Sequence, residues 1–200
     1  MDDMFSKIFS IVDMEKIDSK EEFDIFLENL INHPAPLREA CAYKLNEVFK
    51  DDFIDNTSSE ILLKAVIDIN PNVSRCICSL IEKSSLLQEL LKYKIIANIN
   101  EILNKIPDIE KLQNNKNHKK NKLLFSLYWL LEALYYCIKP DESTEVVTIL
   151  QKTVEFSDYT IREKTAKIIS KLSAPPANLL EIVNNDKNFY VNFYTNLYKN

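Results

Sequence analysis

The chain contains no glycine in 200 residues, where average usage would give roughly 14. Glycine is the residue that lets a backbone turn with positive φ or approach a ligand without a Cβ in the way. Its absence removes the phosphate loops of nucleotide hydrolases, dinucleotide fingerprints, kinase loops and nucleophile elbows, all of which need it at fixed places. Barrels and doubly wound sheets punctuated by glycine turns are disfavoured on the same ground. What remains is a chain able to fold mostly as helices. An apolar fraction of 46% and a charged fraction of 28% are enough to bury a sizeable core.

Helical periodicity fills the sequence. Phe5, Ile8, Phe9 and Val12 recur at helical spacing, as do Phe23, Phe26, Leu27, Leu30 and Ile31. Ser19-x-x-Glu22 and Thr57-x-x-Glu60 have the form of capping boxes that start helices. His33-Pro34-Ala35-Pro36 must break a helix, because proline lacks the N–H and restricts its predecessor. Further stripes run through Leu37–Val48, Leu62–Ile69, Val73–Ile81 and Leu87–Ile106, the last expected to end before Pro107. Residues 111–122 hold five lysines and no acid and are expected to form a loop. Leu123–Ile138 is apolar nearly all round, so it should be buried. At 16 residues it is shorter than the ~20 needed to cross a bilayer. No segment alternates with a period of two. The expected fold is all-α. Asparagines at Asn32, Asn70 and Asn185, with Pro34 and Pro71 close behind, are expected to stand where glycine usually ends a helix in the left-handed conformation.

Charge and cysteine usage narrow the setting. The net charge is −5, which does not suggest a general nucleic-acid binder. Residues 1–60 carry 15 acids and 6 bases, whereas residues 61–122 carry 6 acids and 11 bases, so an acidic start precedes a mildly basic middle. Cys41, Cys76, Cys78 and Cys137 lie within apolar helical patterns, as buried reduced thiols do. Cys76-x-Cys78 is not a zinc motif, since residues two apart point to different sides of a helix. No metal or cofactor is expected. With no hydrophobic leader at the N-terminus, the reading is a cytoplasmic protein without a membrane segment.

Helix–turn–helix units recur. Pro36–Leu45, Val73–Ile81 and Thr160–Ile169 align as second helices, and the chain's three arginines, Arg38, Arg75 and Arg162, all sit at their starts. The spacing is 36 residues from Leu37 to Val73 and 88, twice 44, from Val73 to Ile161. In these residues the chain resembles the HEAT-repeat family, whose second helices begin with an apolar residue and an arginine. Armadillo-like units are close relatives. Arg75 departs from the pattern by standing one position late, and Asp158 is the one clear turn aspartate. The resemblance implies a right-handed α-α superhelix of about five helical hairpins: a single α-solenoid over residues 1–200. Residues 1–17 would cap its start, 18–172 form the repeats, and 173–200 cap its end. Stacking makes such units stable, since one hairpin cannot bury its apolar face alone.

The function expected of such a chain is that of a non-catalytic scaffold or adaptor holding a protein or peptide on its concave surface. The outward positions of the second helices there include Glu39, Tyr43, Arg75, Ser79, Glu163 and Lys167. The arginines themselves fit a structural role, each paired with an acid or a helix carbonyl of a neighbouring unit. Lys116, Lys119, Lys120 and Lys122 could meet an anion, although a solvated connection is the simpler reading of that segment. The aromatic C-terminal helix, Phe189–Tyr198, could serve self-association. The alternative function is a DNA-associated protein resembling the HEAT-like alkylpurine DNA glycosylases, which use a tryptophan, an aspartate and an arginine. Trp129, Glu132 and Arg162 would be the similar set, with glutamate in place of aspartate. A chromophore lyase of HEAT type is a third class, with no specific residue behind it. Nucleic acid is not expected as the partner.

Overall fold

The computed structural model describes residues 2–110, 118–141 and 144–194. Those residues form helices and connecting turns, with no strand among them. The chain divides into two compact units, Met1–Leu91 and Lys92–Asn200. None of the described helices is long and apolar enough to cross a membrane.

The first unit contains α1 (Asp2–Val12), α2 (Lys20–Asn32), α3 (Ala35–Val48), a short 3-10 turn (Asp51–Phe53), α4 (Asn56–Val66), α5 (Pro71–Lys83) and the start of α6 (Ser85–Glu110). Hairpin α2–α3 stacks on hairpin α4–α5, with α2 against α4 and α3 against α5, while α1 lies against α3. Phe23, Leu27, Leu30, Leu37, Leu45, Leu62, Ile77 and Leu80 are removed from solvent between these layers. Burial of each such side chain favours the fold by about 1.5–3 kcal/mol.

The second unit contains the rest of α6, then α7 (His118–Cys137), α8 (Thr144–Thr153), α9 (Tyr159–Ile169), α10 (Ala177–Asn184) and α11 (Phe189–Asn192). Helix α9 is its centre and touches α7, α8, α10 and α11. Leu130, Leu131, Leu134, Ile149, Leu150, Ile161, Ile168 and Leu179 are fully buried there.

Several local expectations are corrected. Helix α4 is capped two residues before Thr57. Asp55 is its cap, accepting the Ser58 N–H at 2.7 Å while Ser58 Oγ accepts the Asp55 N–H at 2.8 Å. That reciprocal pair uses the more favourable capping residue. At α2, Ser19 does accept the Glu22 N–H at 3.1 Å, but Glu22 reaches back to the N–H of Asp18 rather than that of Ser19. Helix α6 continues through Pro107 to Glu110. The proline removes one backbone N–H bond near the end of the helix without ending it there. Of the expected loop at 111–122, His118–Lys122 form the first residues of α7, since lysines propagate a helix well in the absence of glycine or proline.

The helix exits differ most. No described residue has a positive φ, so asparagine does not supply left-handed ends. Asn70 instead caps the start of α5, accepting the Asn72 N–H at 2.9 Å. Helices leave through extended residues, as at His33, Phe49 and Ser84, or through a tightened last turn, as at Asn185 with φ −93 and ψ 2.

Candidate functional site

Two of the three arginines are built into the fold in the same way. Arg38 forks Asp68, with Nε–Oδ2 at 2.7 Å and Nη2–Oδ1 at 2.8 Å, and its Nη1 donates to the His33 carbonyl at 2.7 Å. Arg162 forks Asp186, with Nε–Oδ2 at 2.6 Å and Nη2–Oδ1 at 3.3 Å, and its Nη1 donates to the Phe156 carbonyl at 2.8 Å. Each aspartate also accepts the N–H of the asparagine two residues on, Asn70 at 2.7 Å and Asn188 at 2.8 Å. Each asparagine then caps the next helix. The arginine therefore fixes one helix start to the turn that launches another. Bidentate pairing of this kind demands arginine and not lysine.

Asp68 and Asp186 were not singled out by sequence reasoning. The signal was present: Asp-x-Asn occurs in the chain at these two places, 68–70 and 186–188. Burial works against ionisation of Asp186, but the Arg162 fork and the Asn188 N–H outweigh it and hold the carboxyl below its ordinary range.

Arg75 behaves differently. It is the fifth residue of α5, whereas Arg38 and Arg162 are the fourth residues of their helices. One residue turns a side chain by about 100° around the axis. The fourth place in α5 belongs to Ser74, whose Oγ donates to the Asp68 carbonyl at 3.1 Å. Arg75 is solvent-exposed and lines a groove of about 650 Å³ with Ile8, Val12, Ala40, Tyr43 and Cys76. Glu39 lies in the same wall, with one oxygen on the Asn70 amide at 2.9 Å and the other on the Asn72 amide at 2.8 Å. Thus the structure brings together Glu39, Tyr43 and Arg75 of the six expected partner-facing residues. Ser79 lies half-buried on α5 outside this lining. The contribution of α1, through Ile8 and Val12, was missed, because residues 1–17 were expected only to cap the start of the array. Phe5, Phe9 and Val12 are 52%, 64% and 48% exposed.

In the second unit Glu132 is nearly buried and meets two lysines, Lys164 and Lys167, each at 2.8 Å. The Tyr136 hydroxyl also donates to it at 3.1 Å. Lys164 lies over the Tyr128 ring at 4.6 Å, and Lys167 over Tyr135 at 4.2 Å. Burial disfavours the charged forms of Glu132 and Lys164, but their mutual hydrogen bond and attraction prevail. The carboxyl is lowered and the ammonium raised. Lys167 is therefore a partner of the core carboxylate, and Glu163 is half-buried beside it on α9. Trp129 shares α7 with Glu132 and is almost wholly buried against the rings of Phe125 and Tyr128. Arg162, the third member of the glycosylase-like set, is engaged by Asp186.

Of the lysines expected to meet an anion, Lys116 lies outside the described residues. Lys119, Lys120 and Lys122 fall in the first turns of α7, with Lys122 exposed and Lys120 half-buried. Phe189, Tyr190 and Phe193 are exposed by 66%, 61% and 47%, and the Phe189 ring contacts the other two. The part of the expected aromatic helix beyond Tyr194 lies outside the described residues. The chain matches no family model, no curated protein and no solved structure.

Proposed function

We propose that this chain is a non-catalytic adaptor of HEAT-like, α-solenoid character that binds a protein segment in the groove between α1, α3 and α5. The observation that carries this reading is the groove itself. It has an apolar floor, an exposed tyrosine and an exposed guanidinium, and it is lined by second-helix residues of two stacked hairpins. Aromatic and arginine side chains are the usual anchors of protein interfaces. The stacking of first helix on first and second on second is what a solenoid repeats, which favours the family resemblance.

Chemistry at Glu132 has less behind it. A carboxylate held by two lysines is stabilised in its charged form and is a weak base. Arg162, which the glycosylase reading needs free, is closed onto Asp186.

The test is a comparison of the wild-type chain with a Tyr43→Ala/Arg75→Ala double variant as bait, followed by direct binding of any purified partner. A partner whose affinity falls about tenfold or more with the double variant supports the adaptor reading. Partners retained equally by both proteins overturn it. So does duplex-DNA binding that weakens steeply with salt, or a turnover abolished by Glu132→Gln.

A further inference from the structure

The groove's partner can be described more closely, on the premise that the groove is the binding site. Arg38 and Arg162 show what a second-helix arginine takes in this fold. Each receives a carboxylate, through two N–H groups, from an aspartate two residues ahead of a helix cap. Arg75 has no such carboxylate among the described residues. Two features of the sequence explain this. Its late position turns it away from the place where Ser74 bonds the Asp68 carbonyl. In addition, the aspartates that hold Arg38 and Arg162 stand after the next helix, and the sequence between α6, the helix that follows α5, and α7 carries no Asp-x-Asn. The Glu39 carboxylate in the same wall already has an asparagine amide on each oxygen.

We infer that Arg75 takes a carboxylate supplied from outside: an aspartate or glutamate of a partner protein segment, with an adjacent apolar side chain seated against Ile8, Val12 and Tyr43. Charge and shape agree on this occupant. Among the described residues, the only cation lining the groove is a fork-shaped donor beside an apolar trough, and the planar guanidinium matches a planar carboxylate. Glu39, which lines the same groove, disfavours an extended polyanion such as nucleic acid. One carboxylate set among apolar residues fits; a row of phosphates does not. The apolar neighbour matters as much as the charge, because an exposed ion pair alone contributes little to binding.

A random dodecapeptide display library panned against the full chain tests this directly. Enriched peptides are expected to carry an acidic residue next to a large apolar one. Their affinity should fall roughly tenfold or more with Arg75→Ala, by less with Arg75→Lys, and also with Tyr43→Ala. Replacing the peptide's acid by its amide should cost the wild type about the same factor, and should cost Arg75→Ala almost nothing. Because Arg75 is exposed, unchanged helical circular dichroism and melting of the variants separate loss of binding from loss of fold. Peptides that lose affinity with Tyr43→Ala but not with Arg75→Ala would overturn the carboxylate inference and leave the adaptor reading standing. Enriched peptides indifferent to both substitutions, or no enrichment at all, would overturn both. Duplex DNA that binds at the groove and is displaced by salt would do the same.

Discussion

Arg38 and Asp68, thirty residues apart, meet through two parallel N–H···O bonds of 2.7 and 2.8 Å, and Asp68 in turn holds the Asn70 N–H. The pair is only 14% and 10% exposed, so each charge depends on the other. Asp68→Ala leaves the guanidinium partly buried with the His33 carbonyl alone. The expected loss is about 3 kcal/mol, and Asp186→Ala should behave alike in the second unit. Arg75→Ala should change stability by less than about 0.5 kcal/mol. Urea unfolding of the three variants at neutral pH checks the contrast.

The lysine pair on Glu132 gives a second expectation. Glu132→Gln removes the charge that compensates Lys164 and Lys167 and should cost about 3 kcal/mol. Joint replacement by Leu at 132 and Met at 164 and 167 should recover much of this. The carboxyl is lowered, so its contribution is complete above the ordinary glutamate range and fades as the solution is acidified below it. The Lys164 ammonium is raised, so its contribution is complete below the ordinary lysine range and fades only in stronger alkali. Stability measured against pH should therefore be flat between these limits and lose part of its acid limb in Glu132→Gln.

At the start of α4, the Ser58 N–H bonds the Asp55 carboxylate and Lys20 lies 3.0 Å away. Together they lower the Asp55 pKa to about 2. The unfolded value is near 3.9, so the stabilisation is present above about pH 4 and is lost as pH falls towards 2. Asp55→Ala should cost about 1 kcal/mol at neutral pH, whereas Asp55→Asn keeps the cap and loses only the acid dependence. Thermal melts between pH 2 and 7 distinguish the two.

Burial pushes the Cys41 thiol up to about 12, and the residue is 1% exposed. Since the thiolate is the reactive form, a disulfide reagent at pH 8 should modify Cys76 first, the half-exposed cysteine of the four. Cys41 should react only as fast as the protein opens, which peptide mapping of a labelling time course reads directly.

Much of this molecule is written in its periodicity. The helices from Phe23 to Ile169 follow stripes that any reader of 3.6-residue spacing would find, and the arginine register at 38 and 162 announces equivalent helix starts. Periodicity shows that a face is apolar but not that a neighbour covers it, and so it does not tell that Phe5, Phe9 and Val12 of α1 stay exposed. The aspartate partners were hidden for another reason. Arg38 reaches 30 residues ahead and Arg162 reaches 24, so no fixed spacing exposes them. The recurring element is the turn Asp-x-Asn, which becomes meaningful only once two copies are seen to do the same thing. Glu132 was visible as a misfit in an apolar helix. Its partners on α9 were not, because long-range pairing leaves no local mark.

The uniformly negative φ of the described backbone bears finally on the state this chain leaves when it folds. Every residue carries a Cβ, so the denatured ensemble is narrower than that of an ordinary chain of the same length. Each glycine replaced by a residue of compatible conformation removes about 0.4–1 kcal/mol of disorder from that ensemble. A protein built this way draws part of its stability from a poorer alternative as well as from a better core. Introducing glycine at an exposed helix exit such as Asn185 should loosen it while the backbone N–H at that position keeps its bond to the Glu181 carbonyl.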